Sequence, residues 1–236
     1  MGKRAVILAG GQGTRLKPYT IVLPKPLVPV GSLPIMEILL NQLKSAGFTH
    51  ITIAVNHLAE IIMAYFQDGK KWGLSIDYSI EDMPLSTMGP LKLIKDLPDD
   101  FLVMNGDVLT DLDFEAFMEN HLKEKRLFSI SSFIRTDKSE YGVLNVNSES
   151  QLTEFKEKPE HTFQVSMGIY ALNKKVLDYI PSHTFFGFDH LMYKLLDENQ
   201  PVNVIPHTGI WLDIGRPADY QLAIDTFESD QNKFMK

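Results

Sequence analysis

The sequence predicts an α/β fold in which helices flank a Rossmann-like, mostly parallel mixed sheet. Three observations lead to this prediction. Short apolar runs alternate with amphipathic stretches through the first half of the chain, the second half is richer in strands, and no internal repeat interrupts the 236 residues. Apolar residues at 44% and charged residues at 22% are ordinary for a folded globular protein.

The first half alternates strands with helices. Short continuous apolar runs predict buried strands, and apolar residues that share one helical face predict helices. Pro34 stands near the first helical position of one such segment, and Gly47 is placed to end it. In chain order we expect a strand at 4–9, a helix at 34–46, a strand at 50–55, a helix at 59–66, strands at 74–79 and 101–105, a helix at 114–123 and a strand at 127–134.

The second half carries more strands, followed by two helices. Strands are expected at 142–146, 152–157 and 164–172, and helices at 189–198 and 217–227. This change of pattern predicts one domain over 1–236, with a nucleotide-binding half at about 1–135 and a second-substrate half at about 136–236 on one shared sheet.

Composition excludes several classes of protein. The chain has no cysteine, which removes disulfides and thiolate chemistry and suits a reducing cytoplasm. A net charge of −7 disfavours binding to nucleic acid or to an anionic membrane. No apolar run approaches the roughly 18 residues of a membrane span. The oligomeric state, a homo-oligomer included, stays open.

The basic residues are unevenly spread. Residues 3–36 contain no Asp or Glu but hold five cations, and five of the 13 prolines stiffen a long loop at 18–34. A basic segment on an acidic chain predicts a local anion site. The five cations are Lys3, Arg4, Arg15, Lys17 and Lys25.

A glycine loop follows the first strand, at residues 10–13. Glycines let backbone N–H groups approach a phosphate closely, and Arg15 adds a bidentate donor. The loop lacks the Lys-Ser or Lys-Thr of a Walker A motif. It is also a poor dinucleotide fingerprint, because Leu16 stands at the third glycine position and no ribose-binding acid follows. A nicotinamide-dependent dehydrogenase is therefore disfavoured.

Four further segments could carry chemistry. Lys25 lies between two prolines that hold its backbone extended. Asp107 follows an apolar strand, and open α/β sheets bind ligands at the carboxyl ends of their strands. A carboxylate at that position suits Mg²⁺. Asn-Gly at 105–106 also favours a hairpin turn. Asp111 and Asp113 are equally candidates for a metal ligand or a helix cap. Asp213 sits inside an apolar run and needs a partner if buried. The fourth segment is the charged stretch 156–158.

Together these segments resemble the sugar-1-phosphate nucleotidyltransferases, also called nucleotide-sugar pyrophosphorylases. The matching motifs occur in the family's order and span nearly the whole chain. Residues 8–16 are similar to the family's L-A-G-G-x-G-T-R-L, and residues 24–30 are similar to its P-K-P-L-x-P-V. Residues 105–107 are similar to the family's G-D metal corner, residues 155–159 to F-x-E-K-P, and residues 211–217 to W-x-D-I-G-x-P.

The resemblance implies a nucleotide-diphospho-sugar transferase fold and a role for each matching residue. The nucleoside triphosphate would be held by Leu8, Ala9, Gly10, Gly11, Gly13, Thr14, Arg15, Ser86, Thr87 and Gly89. The sugar 1-phosphate would contact Asp107, Gly142, Glu157, Lys158 and Asp213. Mg²⁺ would be the cofactor, bound by Asp107 and Asp213, and the catalytic residues would be Arg15, Lys25 and Asp107.

The resemblance also implies a reaction, transfer of a nucleotidyl group to a sugar 1-phosphate with release of pyrophosphate. Likeness to short mannose-1-phosphate guanylyltransferases favours GTP with a mannose-like sugar. UTP, dTTP or CTP with a glucose-, amino-sugar- or muramic-type phosphate stays open, as does a non-catalytic sensor of nucleotide-sugars. Ser86 replaces the first glycine of the family's L-G-T-A-G, and Ser166 stands where the sugar-side motif has Asn. We expect no C-terminal β-helix domain.

Overall fold

The computed structural model describes residues 2–215 and 217–235. Its helices are α1 (Ile35–Ser45), α2 (Ala59–Phe66), α3 (Phe114–Lys123), α4 (Phe188–Asp197) and α5 (Pro217–Ser229). Its strands are β1 (Lys3–Leu8), β2 (Pro29–Val30), β3 (Leu33–Pro34), β4 (Phe48–Val55), β5 (Ser75–Ile80), β6 (Asp100–Asn105), β7 (Val108–Thr110), β8 (Phe128–Lys138), β9 (Val143–Val146), β10 (Leu152–Lys156), β11 (Glu160–Asn173), β12 (Val202–His207) and β13 (Trp211–Asp213). Among the described residues, every helix is too short or too polar to span a membrane.

A seven-stranded sheet of order β12-β8-β11-β6-β1-β4-β5 forms the centre. All its strands run in one direction except β11, which is antiparallel to both β6 and β8. The carboxyl ends of β6, β1, β4 and β5 therefore meet at one edge of the sheet, where open α/β sheets bind ligands. The predicted mixed, mostly parallel sheet is confirmed.

Helices cover both faces of the sheet. Side chains alternate along β1, so Ala5 and Ile7 pack with α1, α2 and α3 while Val6 packs with α4. Both faces are apolar and almost fully buried, which explains why β1 reads as a continuous apolar run rather than an alternating one.

A third, smaller core lies under the edge that carries the strand ends. Leu109 of β7 and Ile214, next to β13, pack there against Ile35 of α1 and Phe227 of α5. β7 and β13 pair as a two-stranded antiparallel ribbon. This core fixes the position of that ribbon relative to α1.

The middle of the second half forms an exposed β-arm, residues 134–164. The long strands β8 and β11 pair over most of their length, and β9 and β10 form a second hairpin at the tip. Leu144 and Phe155 face each other across that hairpin and are 61% and 56% exposed. The arm is therefore only partly covered by the rest of the chain.

Most predicted helices and strands are confirmed, and the errors concern strand ends and unpredicted strands. The helices at 59–66 and 114–123 match the structure, and Gly47, with a φ of +82°, follows the end of α1. β8 and β11 extend beyond their predicted ends because the exposed arm has no continuous apolar run. The sequence does not predict β2, β3, β7 and β13, which are only two or three residues long, or β12, which contains Pro206 at a sheet edge.

His121 on α3 is fully buried beneath the sheet. Its Nδ1 lies 2.9 Å from Ser129 Oγ, and its Nε2 lies 3.3 Å from Asp100 Oδ1. Burial lowers the pKa of His121 below its usual 6.5, and the charge of Asp100 only partly opposes this shift. The folded protein therefore holds a neutral imidazole.

We expect this histidine to make folding sensitive to mild acid. Because the unfolded chain takes up a proton at a higher pH than folded His121, stability is retained above about pH 6.5 and lost as pH falls below it. Urea unfolding between pH 7.5 and 5 measures this loss, with His121→Asn as the comparison. Equal slopes of stability against pH in the two proteins would contradict this assignment.

Candidate active site

Four neighbouring strands deliver polar groups to the same edge of the sheet. Gly10 follows β1, Asn56 follows β4, Glu81 follows β5 and Asp107 follows β6. A cavity of about 430 Å³ opens there, and these four residues line it together with Lys25. The carboxyl edge of the parallel strands thus provides a pocket of the size that binds small molecules.

The glycine loop forms one wall of this cavity. Leu8, Ala9, Gly10 and Gly11 line it. Gly10 packs under the Glu81 side chain, since a Cβ at Gly10 would lie 2.8 Å from Glu81 Oε1. A Cβ at Gly11 would have no neighbour within 4 Å, so the backbone at Gly11 is open to a ligand.

Gly13 is required by the fold of the loop. It has a φ of +61°, and a Cβ there would lie 2.9 Å from Thr20 Cγ2. Its carbonyl accepts a 2.6 Å hydrogen bond from Thr20 Oγ1. Gly13 therefore shapes the turn that leads into Thr14 and Arg15, both exposed.

We expect Gly13→Ala to destabilise the protein by about 1–2 kcal/mol or more, because alanine at positive φ is strained and its methyl group meets Thr20. Gly11→Ala is the matched control, since Gly11 has neither constraint, and it should unfold near the wild-type temperature. Thermal unfolding followed by circular dichroism compares the two. Equal losses of stability would contradict this account of the loop.

Two carboxylates and one lysine form the charged centre of the site. Lys25 Nζ makes an ion pair with Asp107 Oδ2 and lies 3.8 Å from Asp213 Oδ1. The side chain of Lys25 is only 12% exposed. The stiff proline loop thus delivers one ammonium group to two acids from distant parts of the chain.

The ribbon of β7 and β13 holds the two acids together. Asp213 pairs with Val108, the neighbour of Asp107, and Ile214 N donates to Asp107 O at 3.0 Å. The third core packs beneath this ribbon, so apolar packing holds the two acids close together despite their mutual repulsion. Arg216, part of the W-x-D-I-G-x-P motif, lies outside the described residues.

Burial raises the pKa of Asp213, and the nearby charge of Asp107 raises it further, while Lys25 and Arg15 oppose the shift. Arg15 Nη2 and Asp213 Oδ2 both lie beside Gly215, 3.2 Å and 3.0 Å from where its Cβ would be. Two close carboxylates repel each other and attract cations. In this structure Lys25, Arg15 and Arg135 supply that positive charge.

These acids fit a hard divalent cation. The two carboxylates already share one cation, Lys25, and Mg²⁺ is commonly bound by one or two carboxylates together with substrate phosphates. Within the described parts of the chain, no group of three or more His, Cys, Asp or Glu could form an all-protein metal cage. Asp107 and Asp213 are therefore the residues suited to hold such an ion alongside a phosphate ligand.

Asp111 and Asp113, the alternatives for metal binding, have structural partners. Asp113 Oδ1 accepts from Ala116 N and caps α3. Asp111 Oδ1 accepts from Ile210 N at 2.6 Å and lies 2.9 Å from His207 Nε2. These bonds fix the helix and the loop before β13.

The segment 85–89 borders the cavity only in part. Ser86 and Thr87 line it, and Thr87 Oγ1 accepts from Phe188 N at the start of α4. Ser86 has a φ of +64°, so it keeps the backbone conformation that glycine favours at this position. Gly89 is buried outside the lining, where a Cβ would lie 2.9 Å from Thr184 O.

The residues expected to contact the sugar lie on or beside the exposed arm. A Cβ at Gly142 would lie 2.6 Å from the Phe155 ring and 3.2 Å from Glu157 Oε2, so Gly142 and Glu157 are neighbours. Lys158 is exposed and has a φ of +44°. Among the described residues, no hydrogen bond or ion pair joins Gly142, Glu157 or Lys158 to the acids of the charged centre.

The five cations of the basic segment 3–36 do not gather at one site. Lys3 pairs with Glu115, and Arg4 is buried against Thr52 and Asp77 near the start of β1. These two cations stabilise the opposite end of the sheet. Arg15 and Lys25 are the members of the basic segment that reach the charged centre.

Sequence reasoning did not single out Asn56, Glu81 or Arg135. Asn56 and Glu81 line the cavity, and Arg135 on β8 contributes to the electrostatics of Asp213. Asn56 and Glu81 could be found from their positions in the sequence, since each comes just after a predicted strand of a parallel sheet. Arg135 comes near Asp213 only through the pairing of the arm, which the sequence does not reveal.

One known protein family matches nearly the whole chain. The family model described as nucleotidyl transferase matches residues 4–230. A UTP–glucose-1-phosphate uridylyltransferase of Synechocystis sp. is 35% identical over 94% of this chain. A mannose-1-phosphate guanyltransferase of Candida albicans is 33% identical over 92% of it. The chain spans 62% of the length of each of these two relatives.

Solved structures agree with these matches. The crystal structure of HddC from Yersinia pseudotuberculosis complexed with GMP-PN has a TM-score of 0.74 and 28% identity, covering 95% of this chain and 99% of that one. Another crystal structure of HddC has the same TM-score at 29% identity, with the same coverage of both chains.

Proposed function

Because this chain belongs to the nucleotidyl transferase family, we propose that it transfers a nucleotidyl group from a nucleoside triphosphate to a sugar 1-phosphate. The observation that carries the proposal is the charged centre, in which Lys25 pairs with Asp107 and lies close to Asp213 beside the glycine-lined cavity. Such a centre suits a reaction between two phosphate-bearing substrates.

The substrates would occupy different parts of the site. The triphosphate would lie along the glycine loop, whose backbone is open at Gly11, with its base in the cavity. The sugar would lie toward the arm, near Gly142 and Glu157, with Lys158 available for its phosphate. The two phosphate groups would then meet at Asp107 and Asp213. The nucleotide would thus bind mainly to the half at about 1–135, and the sugar to the half at about 136–236, of a single domain.

The reaction needs no general base. An oxygen of the sugar phosphate, mostly dianionic near neutral pH, attacks the α-phosphorus of the triphosphate. A new P–O bond forms, the bond from the α-phosphorus to the bridging oxygen breaks, and the electron pair leaves with pyrophosphate. Lys25 and Arg15 would contact phosphate oxygens and offset the charge that develops on them. Mg²⁺ on Asp107 and Asp213 would supply Lewis-acid neutralisation of phosphate charge.

We propose GTP and a mannose-like 1-phosphate as the substrates. The Candida albicans relative is a mannose-1-phosphate guanyltransferase, and HddC has been solved with GMP-PN. UTP with glucose 1-phosphate is the second candidate, supported by the 35% identical Synechocystis uridylyltransferase. The solved structure of a putative glucose-1-phosphate thymidylyltransferase from Bacillus anthracis, 26% identical with a TM-score of 0.77, keeps dTTP as a third candidate nucleotide.

The proposal is tested by measuring pyrophosphate release in Mg²⁺ with GTP, UTP, dTTP and CTP, each against mannose 1-phosphate, glucose 1-phosphate and N-acetylglucosamine 1-phosphate. We expect release to require both substrates and to be fastest with GTP and mannose 1-phosphate. Silence across the panel from folded protein that still binds GDP-mannose would favour a nucleotide-sugar sensor instead.

A further inference from the structure

Strand β11 changes register where it leaves the exposed arm. Ser166 pairs with Ser132 of β8, and the pairing resumes at Tyr170 opposite Ile130, so β11 advances four residues where β8 advances two. Residues 167–168, here called the β11 bulge, lie between these pairs and before the pairing with β6 begins. Bulges are frequent beside active sites, where they redirect a side chain or end the pairing of a strand.

Met167 anchors the β11 bulge and turns its carbonyl toward a tryptophan. The Met167 residue is 1% exposed, and its sulfur accepts a 2.9 Å hydrogen bond from Ser131 Oγ. Because the bulge takes Met167 out of the sheet ladders, its carbonyl needs another donor. Trp211 Nε1 donates to that carbonyl at 2.9 Å, and the Trp211 ring packs against Phe133 with centroids 5.6 Å apart.

Gly168 brings the β11 bulge against the other strand that leads to an acid. Gly168 has a φ of +73°, and a Cβ there would collide with the amide of Asn105, so the two residues are in direct contact. Asn105 ends β6, two residues before Asp107, and Trp211 begins β13, two residues before Asp213. The bulge therefore contacts the strand of each acid, two residues before that acid.

We infer that Trp211 is a positioning residue, which sets Asp213 relative to Asp107 by binding the carbonyl of the β11 bulge. The inference rests on the proposed function, because it takes the two acids as the pair that holds the metal ion. β13 is only three residues long, and its pairing with β7 holds it from one side. The Trp211 indole holds it from the side of β11.

This linkage also connects the arm to the charged centre. β11 runs from the arm, where the sugar is proposed to bind, directly into the bulge. A shift of β11 on binding would move the Met167 carbonyl, and the indole hydrogen bond would transmit that movement to Asp213. Trp211 thus acts through Asp213 and has no contact with substrate in this account.

Trp211→Phe removes the indole N–H but keeps an aromatic ring against Phe133. We expect kcat to fall about 10-fold and the affinity for Mn²⁺ without nucleotide, measured by electron paramagnetic resonance, to fall about 10-fold, with KM for the nucleoside triphosphate unchanged. A tryptophan with a merely structural role would lower the unfolding temperature and leave kcat and Mn²⁺ affinity at their wild-type values.

Trp72→Phe is the matched control, because Trp72 is the second of the two tryptophans in the chain. It is 6% exposed and packs against Phe66 of α2, and within the described part of the chain its Nε1 has no hydrogen-bond partner. The control removes the same atoms from a buried indole that holds no strand of the site. It should leave both kcat and Mn²⁺ affinity unchanged.

A second measurement does not depend on the folding of Trp211→Phe. The Trp72→Phe protein holds a single indole N–H, that of Trp211, and its ¹H–¹⁵N nuclear magnetic resonance signal reports the bond to the Met167 carbonyl. We expect Mg²⁺ alone to shift this signal, with the midpoint at the dissociation constant that competition with Mn²⁺ gives.

Two results would overturn the inference: wild-type kcat and Mn²⁺ affinity in folded Trp211→Phe, or an indole signal that does not move when Mg²⁺ saturates the site. Failure of the proposed reaction is seen separately. Wild-type protein that binds Mn²⁺ but releases no pyrophosphate would count against nucleotidyl transfer, while Mn²⁺ affinity and the indole signal would still measure the positioning of Asp213.

Discussion

Replacing Asp107 by asparagine is expected to lower the turnover number about 1,000-fold while leaving the thermal unfolding midpoint near that of the wild type. The change removes one of the two carboxylates suited to Mg²⁺ and the ion-pair partner of Lys25. The amide keeps the size of the side chain, and Asp213 still lies near Lys25, so the ribbon of β7 and β13 should survive.

The matched control for this substitution is Asp113→Asn. Asp113 lies six residues further along the chain and caps α3, and asparagine caps a helix nearly as well as aspartate. We expect this control to retain both turnover and stability. Steady-state pyrophosphate release and circular dichroism measure the two effects. Near-normal turnover in Asp107→Asn would refute the assignment of Asp107 to the reaction.

Lys25→Met is expected to lower turnover by about 100-fold or more, because the ammonium group that would offset phosphate charge is lost. The same substitution should raise the affinity of the site for a divalent ion. Asp107 and Asp213 would no longer share an internal cation, so a divalent ion should bind them more tightly in the absence of nucleotide.

Two readouts separate these effects, turnover by pyrophosphate release and Mn²⁺ affinity by electron paramagnetic resonance. Lys17→Met is the control, since Lys17 belongs to the same basic segment but is exposed. It should alter neither quantity. Weaker Mn²⁺ binding in Lys25→Met than in the wild type would show that the lysine supports the metal site rather than competing with the ion.

The parts of the fold that the sequence predicts are those governed by local rules. β1 and β6 are continuous apolar runs because both faces of each strand are buried, and Gly47 ends α1 because the chain there needs a left-handed backbone. β12 and β13 depend instead on pairing with distant strands. A three-residue strand with little local signal is stabilised only by its partner.

The candidate site shows the same division. Asp107 is predictable because it directly follows a buried strand, and Asp213 because it interrupts an apolar run. That Lys25 lies between them depends on the tertiary fold. Arg4 shows the limit of charge counting, because a basic residue at the start of a strand lies at the opposite end of the sheet from its carboxyl edge.

The most direct test of the central claim follows the α-phosphorus itself. GTP labelled with ³²P at the α-position is incubated with the protein, mannose 1-phosphate and Mg²⁺, and the products are separated. The proposed reaction places the label in GDP-mannose and none of it in pyrophosphate, and the transfer disappears without the sugar phosphate. Label that stays in GTP under every pairing of nucleotide and sugar phosphate, or that appears only in GMP or GDP, would contradict a nucleotidyl transfer to sugar 1-phosphates.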